Sequence, residues 1–298
     1  MTTETVVDEG TGRKFTVDRP TEDGAEGLTF ILNLHGGGSV GHWQREYFPA
    51  YVHVDSHKLV VATPSAATKE PARMWVGEAD DEHLRNVVEY VFERFGRANI
   101  KSFWLAGHSQ GGMTSNRLMR TGYFADRVDG WLSLSGGRLG PAESAPGFGP
   151  PTAPGREPFR PTEAITRLRR LAAELPEADF SFIFAIGERE IVALPETSPW
   201  AERYGAGARV EQPEVVDSQA GKIYDTMRKA HSTPQWGLEA GPGTAKVFVY
   251  PDAKGGRVIA DVVRLEKGHT EGLEPKITEQ IVTMIVNAPG GKAQAVAG

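Results

Sequence analysis

Apolar residues along this chain fall into short, nearly unbroken runs, separated by stretches in which they recur every three or four positions. Leu28–Leu34 (LTFILNL) ends in a glycine cluster, Leu59–Ala62 at Thr63 and Pro64, and Phe103–Ala106 at Gly107. Trp131–Leu134 ends at Ser135, Gly136 and Gly137, Phe180–Ile186 at Gly187, and Val247–Tyr250 at Pro251. Val258–Leu265 is a further run of this kind. Such runs suit strands covered on both faces, because polar alternation is needed only where one face meets water. Helical patterns lie between them. Leu84, Val87, Val88, Val91, Phe92 and Phe95 make one stripe, which predicts a helix over Asp80–Phe95. Asp80 is placed to cap its start, and Gly96 to take a left-handed conformation after its end. Further helices are predicted after Ser109, within Thr162–Leu175, within Gln219–Ala230 and over Pro275–Val286. Strands alternating with helices predict an α/β fold with a mostly parallel central sheet flanked by helices.

The pattern predicts one domain over residues 1–286, broken by two cap-like excursions. The first, at about 138–161, is rich in proline and glycine; the second, at about 190–216, lacks periodicity and holds Trp200 and Tyr204 as candidate lid residues. Asp252–Gly256 (DAKGG) reads as a hairpin turn. Residues 287–298 are small and polar and read as a disordered tail.

Composition narrows the function classes. With 298 residues, 39% hydrophobic and 24% charged, the chain is ordinary globular material and is neither a disordered chain nor a small disulfide scaffold. Its net charge of −6 argues against nucleic acid as a partner, since phosphate binding needs a basic face. It has no cysteine, hence no thiolate nucleophile and no Cys-ligated zinc. No apolar window is long enough for a membrane span. Met1–Gly10 has no basic start followed by an apolar run, so no signal peptide is expected in it. The compartment stays open: cytoplasmic as the chain stands, secreted if a signal was removed.

The candidate chemistry begins at Gly107-His108-Ser109-Gln110-Gly111, between a predicted strand and a predicted helix. This is the G-x-S-x-G pattern in the context that gives it meaning: a serine pushed out of a tight strand-to-helix turn, flanked by glycines because side chains there would collide. The Gln110 amide opens the helix and faces developing negative charge. Upstream, His35-Gly36-Gly37-Gly38 follows the Leu28–Leu34 strand, where an oxyanion loop belongs, and Gly37 or Gly38 would offer the second N–H. His35 itself reads as a packing and loop-orienting residue. An acid is expected on the loop after a later strand. Glu190 is the first candidate, Glu188 the second and Asp217 an outsider. Of the eight histidines, only His231 and His269 follow that acid; His269, after Gly268 in a βα loop, is the better base. Trp43 and Trp75 are candidate substrate contacts. No histidine spacing suggests a metal site, and nothing resembles a phosphate or dinucleotide fingerprint, so no cofactor is expected.

Taken together, these motifs resemble those of α/β-hydrolases of the polyhydroxybutyrate depolymerase and feruloyl esterase group. The resemblance covers about residues 28–285. It rests on LHGGGS at Leu34–Ser39, ATPSA at Ala62–Ala66, Trp75 followed by Asp80-Asp81, and AGHSQGGM around Ser109. LSLSGG, IGERE and GHTEGLEP continue it in the same order. The resemblance implies a serine hydrolase acting on polymeric or aryl esters, with Ser109 as nucleophile, His269 as base and Glu190 as acid. The group usually has Asp at the acid position. Two alternatives accompany this expectation: an amidase or peptidase on a polymer such as polyaspartate, and a non-catalytic binding protein on a hydrolase scaffold.

Overall fold

A computed structural model describes the chain except residues 23, 70–71, 141–173, 192–193, 224–235, 238–239 and 297–298. Its described strands form a single 11-stranded sheet in the order β1-β2-β4-β3-β5-β6-β7-β11-β10-β8, with β9 also on β10. The central strands are β3 (Leu28–Leu34), β4 (Leu59–Pro64), β5 (Ile100–His108), β6 (Gly130–Leu134), β7 (Ser181–Gly187) and β11 (Ile259–Arg264). All neighbours among them are parallel. β1 (Thr2–Val7), β2 (Lys14–Arg19), β8 (Val210–Glu211), β9 (Val215–Val216) and β10 (Thr244–Val249) add antiparallel edges.

The uninterrupted apolar runs have their physical cause here: both faces of the sheet are covered. Phe30, Leu32 and Leu34 pack on one side with Leu84, Val87, Val88, Val91 and Phe92 of the Gly77–Phe95 helix. Ile31, the alternate position, packs on the other side with Ile277, Ile281, Val282 and Ile285 of the Pro275–Asn287 helix. Asp80 sits one turn inside its helix, buried, with its carboxylate accepting the Val76 and Ala67 amides. Gly96 follows the helix with the positive φ of +78° that glycine tolerates, but its ψ of 123° departs from the left-handed helical conformation expected.

Three expectations change. The span 190–216 is not a cap: its described residues form a short helix, Pro199–Arg203, and the edge strands β8 and β9. Trp200, a candidate lid residue, is fully buried, stacks on Phe180 at 4.3 Å and donates its indole N–H to the Phe180 carbonyl. Tyr204 is buried against it. The tail is not disordered over its described part: Lys292–Ala295 is a helical turn with Ala293 buried, held by Lys292 N–H on Asp129 Oδ1 at 3.1 Å. Gly290 permits this, since a Cβ there would sit 2.0 Å from the Lys101 carbonyl oxygen. The hairpin β1–β2 was not visible as an apolar run, because β1 alternates between half-buried and exposed positions at the sheet edge. Most of the 138–161 excursion, most of the Thr162–Leu175 segment and residues 224–230 of the Gln219–Ala230 segment lie outside the described residues.

Candidate active site

Strand β5 ends at His108, and the helix Gln110–Leu118 begins after one intervening residue. Ser109 bridges them with φ +52° and ψ −117°, a backbone region that costs a non-glycine residue strain. The turn is held from both sides: Ser109 N–H donates to the Leu134 carbonyl at 2.8 Å, and its carbonyl accepts Met113 N–H. The flanking glycines are demanded by space. A Cβ on Gly107 would lie 2.4 Å from the Gly111 carbonyl carbon, and one on Gly111 would lie 2.3 Å from the Leu34 carbonyl oxygen.

The glycine loop after β3 passes alongside. An added Cβ on Gly37 would sit 3.8 Å from Gln110 Cβ, so the two residues are neighbours. Gly38 N–H is already engaged, donating to the Arg73 carbonyl at 2.7 Å. This corrects the expectation that either glycine would serve, since an N–H facing a protein carbonyl is not available to an oxyanion. The Gly37 amide has no hydrogen-bond partner among the described residues. His35 braces the loop from beneath. Its Nε2 accepts the Ala66 amide at 3.0 Å, which places the proton on Nδ1 for donation to the Gly36 carbonyl at 2.7 Å. Burial pushes its pKa down to about 4, consistent with a neutral ring.

Trp75, a candidate substrate contact, is buried and serves the same loop. Its indole donates to the His35 carbonyl at 2.8 Å. Its backbone N–H donates to Gln110 Oε1, and its carbonyl accepts from Gln110 Nε2. That occupation removes it from the list of cleft-lining aromatics. Trp43, on the Gly41–Tyr47 helix, is 40% exposed.

Glu190 closes a single 3-10 turn, Glu188–Glu190, directly after β7. Its Oε2 lies 2.5 Å from His269 Nδ1, and both side chains are largely buried. Its Oε1 accepts the Gly187 amide at 3.0 Å and the Ser135 hydroxyl at 2.8 Å. Glu188 points elsewhere, accepting the Glu266 amide, and Asp217 accepts the Gln219 and Lys276 amides at the start of the Pro275–Asn287 helix. Of the three acids considered, only Glu190 meets the histidine. His231 lies outside the described residues.

With a carboxylate on Nδ1, the ring proton of neutral His269 belongs there and Nε2 carries the lone pair. The His269 carbonyl receives His108 Nε2 at 2.9 Å and the Tyr47 hydroxyl at 3.2 Å. The His108 and His269 rings are 4.6 Å apart. Burial drives the His108 pKa well below the usual imidazole range, so this neighbour stays neutral and adds no positive charge beside His269. Trp236 meets the His269 ring edge-on at 4.9 Å, and its carbonyl accepts Thr270 N–H. Behind the loop, the fully buried Arg264 donates to the Glu271 and Gly272 carbonyls and pairs with Glu274.

Sequence reasoning missed Tyr47, Ser135, Trp236 and the side chain of Gln110. Only Ser135 left a local trace, as a hydroxyl residue at a strand end before two glycines.

No family model and no curated protein matches the chain. Solved structures do. The acetyl xylan esterase from Aspergillus awamori superposes with a TM-score of 0.54 at 12% identity, covering 96% of this chain and 99% of that one. The fold is that of an α/β-hydrolase. TT1662 from Thermus thermophilus matches 97% of this chain and 100% of its own at 16% identity, with a TM-score of 0.47. EstE1, a thermostable carboxylesterase cloned from a metagenomic library, matches 63% of this chain and 69% of its own at 17% identity, with a TM-score of 0.39. Among the described residues, no group of three or more acidic or histidine side chains is arranged to hold a metal ion, and no helix is long and apolar enough to cross a membrane.

Proposed function

We propose that this α/β-hydrolase is a serine hydrolase that cleaves carboxylic esters through Ser109, His269 and Glu190. The observation that carries the reading is the 2.5 Å approach of Glu190 Oε2 to His269 Nδ1, on loops adjoining a serine in a left-handed strand-to-helix turn. His269 Nε2 takes the proton of Ser109 as its oxygen attacks the ester carbonyl. The tetrahedral oxyanion is met by the amides of Gln110 and Gly37. Glu190 keeps the imidazole in the right tautomer and stabilises the imidazolium. The proton passes from His269 to the departing alcohol, the acyl group stays on Ser109, and water repeats the sequence to free the acid. Each oxyanion donor contributes a factor of about 10²–10³ in rate.

The substrate reading is a polymeric or aryl ester. It is supported by the motif resemblance and by two aromatics: Trp236, which walls the base on one side, and the exposed Trp43 on the helix after the glycine loop. The test is hydrolysis of p-nitrophenyl acetate, butyrate and octanoate by wild type and Ser109→Ala, with fluorophosphonate labelling of both. Turnover and labelling that vanish together in Ser109→Ala support the reading, and the acyl-length profile bounds the pocket. Equal turnover in both proteins overturns it.

A further inference from the structure

The Glu190 carboxylate is held at three points. One is the base itself. The second, the Gly187 amide, belongs to the same turn. The third comes from another strand, 55 residues away: the Ser135 hydroxyl, which donates to Oε1 at 2.8 Å. Ser135 stands at the end of β6, almost completely buried, with its N–H on the Ala185 carbonyl at 2.8 Å. Its φ is +51°, the left-handed region, where a residue with a Cβ is strained. Two glycines follow it immediately, and a glycine would occupy φ +51° without that cost. What a glycine lacks is the hydroxyl. Tyr47 is a neighbour of Ser135, and its hydroxyl donates to the His269 carbonyl at 3.2 Å.

We propose that Ser135 is a positioning residue for the acid: its hydroxyl locks Oε1 of Glu190 so that Oε2 faces His269 Nδ1. The inference rests on the serine-hydrolase reading above. Glutamate has one more rotatable bond than aspartate, so an acid of this length has more wrong rotamers to exclude. The Gly187 amide restrains only a side chain whose own backbone turn can shift with it. A donor fixed on the neighbouring strand ties the carboxylate to the sheet, and with it to the strand end that carries Ser109.

The test compares wild type, Ser135→Gly, Ser135→Ala, Glu190→Gln and the double variant Ser135→Gly/Glu190→Gln, with Ser109→Ala as the control. Ser135→Gly removes the hydroxyl at a position where glycine relieves strain, so misfolding does not obscure the result. It is expected to lower kcat about ten- to a hundredfold, the loss of one hydrogen bond to a charged group, with KM within about twofold. Ser135→Ala follows it. In the Glu190→Gln background the same change is expected to cost less than about twofold, because the group it positions is already gone. The low-field Nδ1 proton of His269, seen by NMR, is expected to move upfield and broaden in Ser135→Gly. Wild-type kcat in Ser135→Gly, an undiminished cost in the Glu190→Gln background, or an unmoved Nδ1 resonance each overturns the proposal. If Ser109→Ala is inactive while Ser135→Gly is normal, only the role of Ser135 falls. If Ser109→Ala keeps its activity, the serine-hydrolase reading falls, and the NMR arm still decides whether Ser135 orders Glu190.

Discussion

Trp75 and Gln110 close a ring of two hydrogen bonds: the Trp75 amide donates to Gln110 Oε1 at 3.0 Å, and Gln110 Nε2 donates to the Trp75 carbonyl at 2.9 Å. The residue whose own amide opens the Gln110–Leu118 helix thereby fastens a separate loop, which in turn holds His35 and the glycine loop through the Trp75 indole. Gln110→Ala leaves a buried amide and a buried carbonyl without partners. At about 1–3 kcal/mol for each unmet group, the variant is expected to lose about 2–6 kcal/mol of stability in urea unfolding. A loss below about 0.5 kcal/mol, the usual range of surface changes, would show that the ring is dispensable.

Glu190→Asp tests whether the longer acid is required here. Shortening the side chain by a methylene prevents one carboxylate from reaching Gly187 N–H, Ser135 Oγ and His269 Nδ1 together. A drop of about ten- to a hundredfold in kcat with little change in KM is expected, since about 1 Å of misplacement costs on that order. Glu188→Gln is expected to leave kcat within about twofold of wild type, with its partner a backbone amide outside the proposed triad. Steady-state kinetics on one p-nitrophenyl ester distinguishes the two, and the reverse ranking would transfer the acid role to Glu188.

Much of this site is legible in the residues alone, and the remainder is hidden for identifiable reasons. Ser109, Glu190 and His269 each follow an apolar run, so their position at a strand end can be read locally. Ser135, Tyr47 and Trp236 matter through partners 55, 222 and 33 positions away, and no local pattern encodes such meetings. Gly37 and Gly38 look equivalent as letters; only the fold shows Arg73 occupying one of them. Trp75 and Trp200 have the composition of cleft or lid residues, yet each spends its indole N–H on a buried carbonyl. The edge strand β1 was invisible because a half-exposed strand needs no apolar run.

Two glycines predict opposite outcomes on replacement by alanine. At Gly111 the new methyl would meet the Leu34 carbonyl oxygen at 2.3 Å, backbone against backbone, and nothing there can turn aside. Gly111→Ala is expected to be insoluble or to lose more than about 4 kcal/mol. At Gly38 nothing lies within 4 Å of the added carbon, and only the φ of +80° is unfavourable. Gly38→Ala is expected to fold with a loss of about 1–2 kcal/mol. Thermal melts of the two variants decide; similar midpoints would refute the packing account of the turn at Ser109.

Acid should weaken the glycine loop through His35. The unfolded chain takes up this proton near pH 6.5, whereas the buried ring does so only near pH 4. Between those values the unfolded state binds more protons, so stability falls as pH drops through the window, by about 3 kcal/mol from this group alone. His83 and His108, whose pKa values burial also lowers, act in the same direction. Urea midpoints at pH 7 and pH 4.5 should therefore differ markedly in wild type and less in His35→Gln. Identical slopes in the two proteins would remove His35 as a source of the acid lability.

The tail that docks beneath β5 bears on the order of events in folding. Lys101 Nζ donates to the Val286 carbonyl and Gln294 Nε2 to the Ala98 carbonyl, closing loops of 185 and 196 residues. The strand's other pairings reach less far: Thr29 meets Ser102 across 73 residues, and Phe103 meets Asp129 across 26. Longer loops are entropically dearer to close, so the nearer partners come together first and the tail latches late. The pairings of β5 with its neighbours thus come before the tail clamps its start, whereas His269 meets the Ser109 end of the strand across 161 residues, so the base and the clamp arrive on comparable terms.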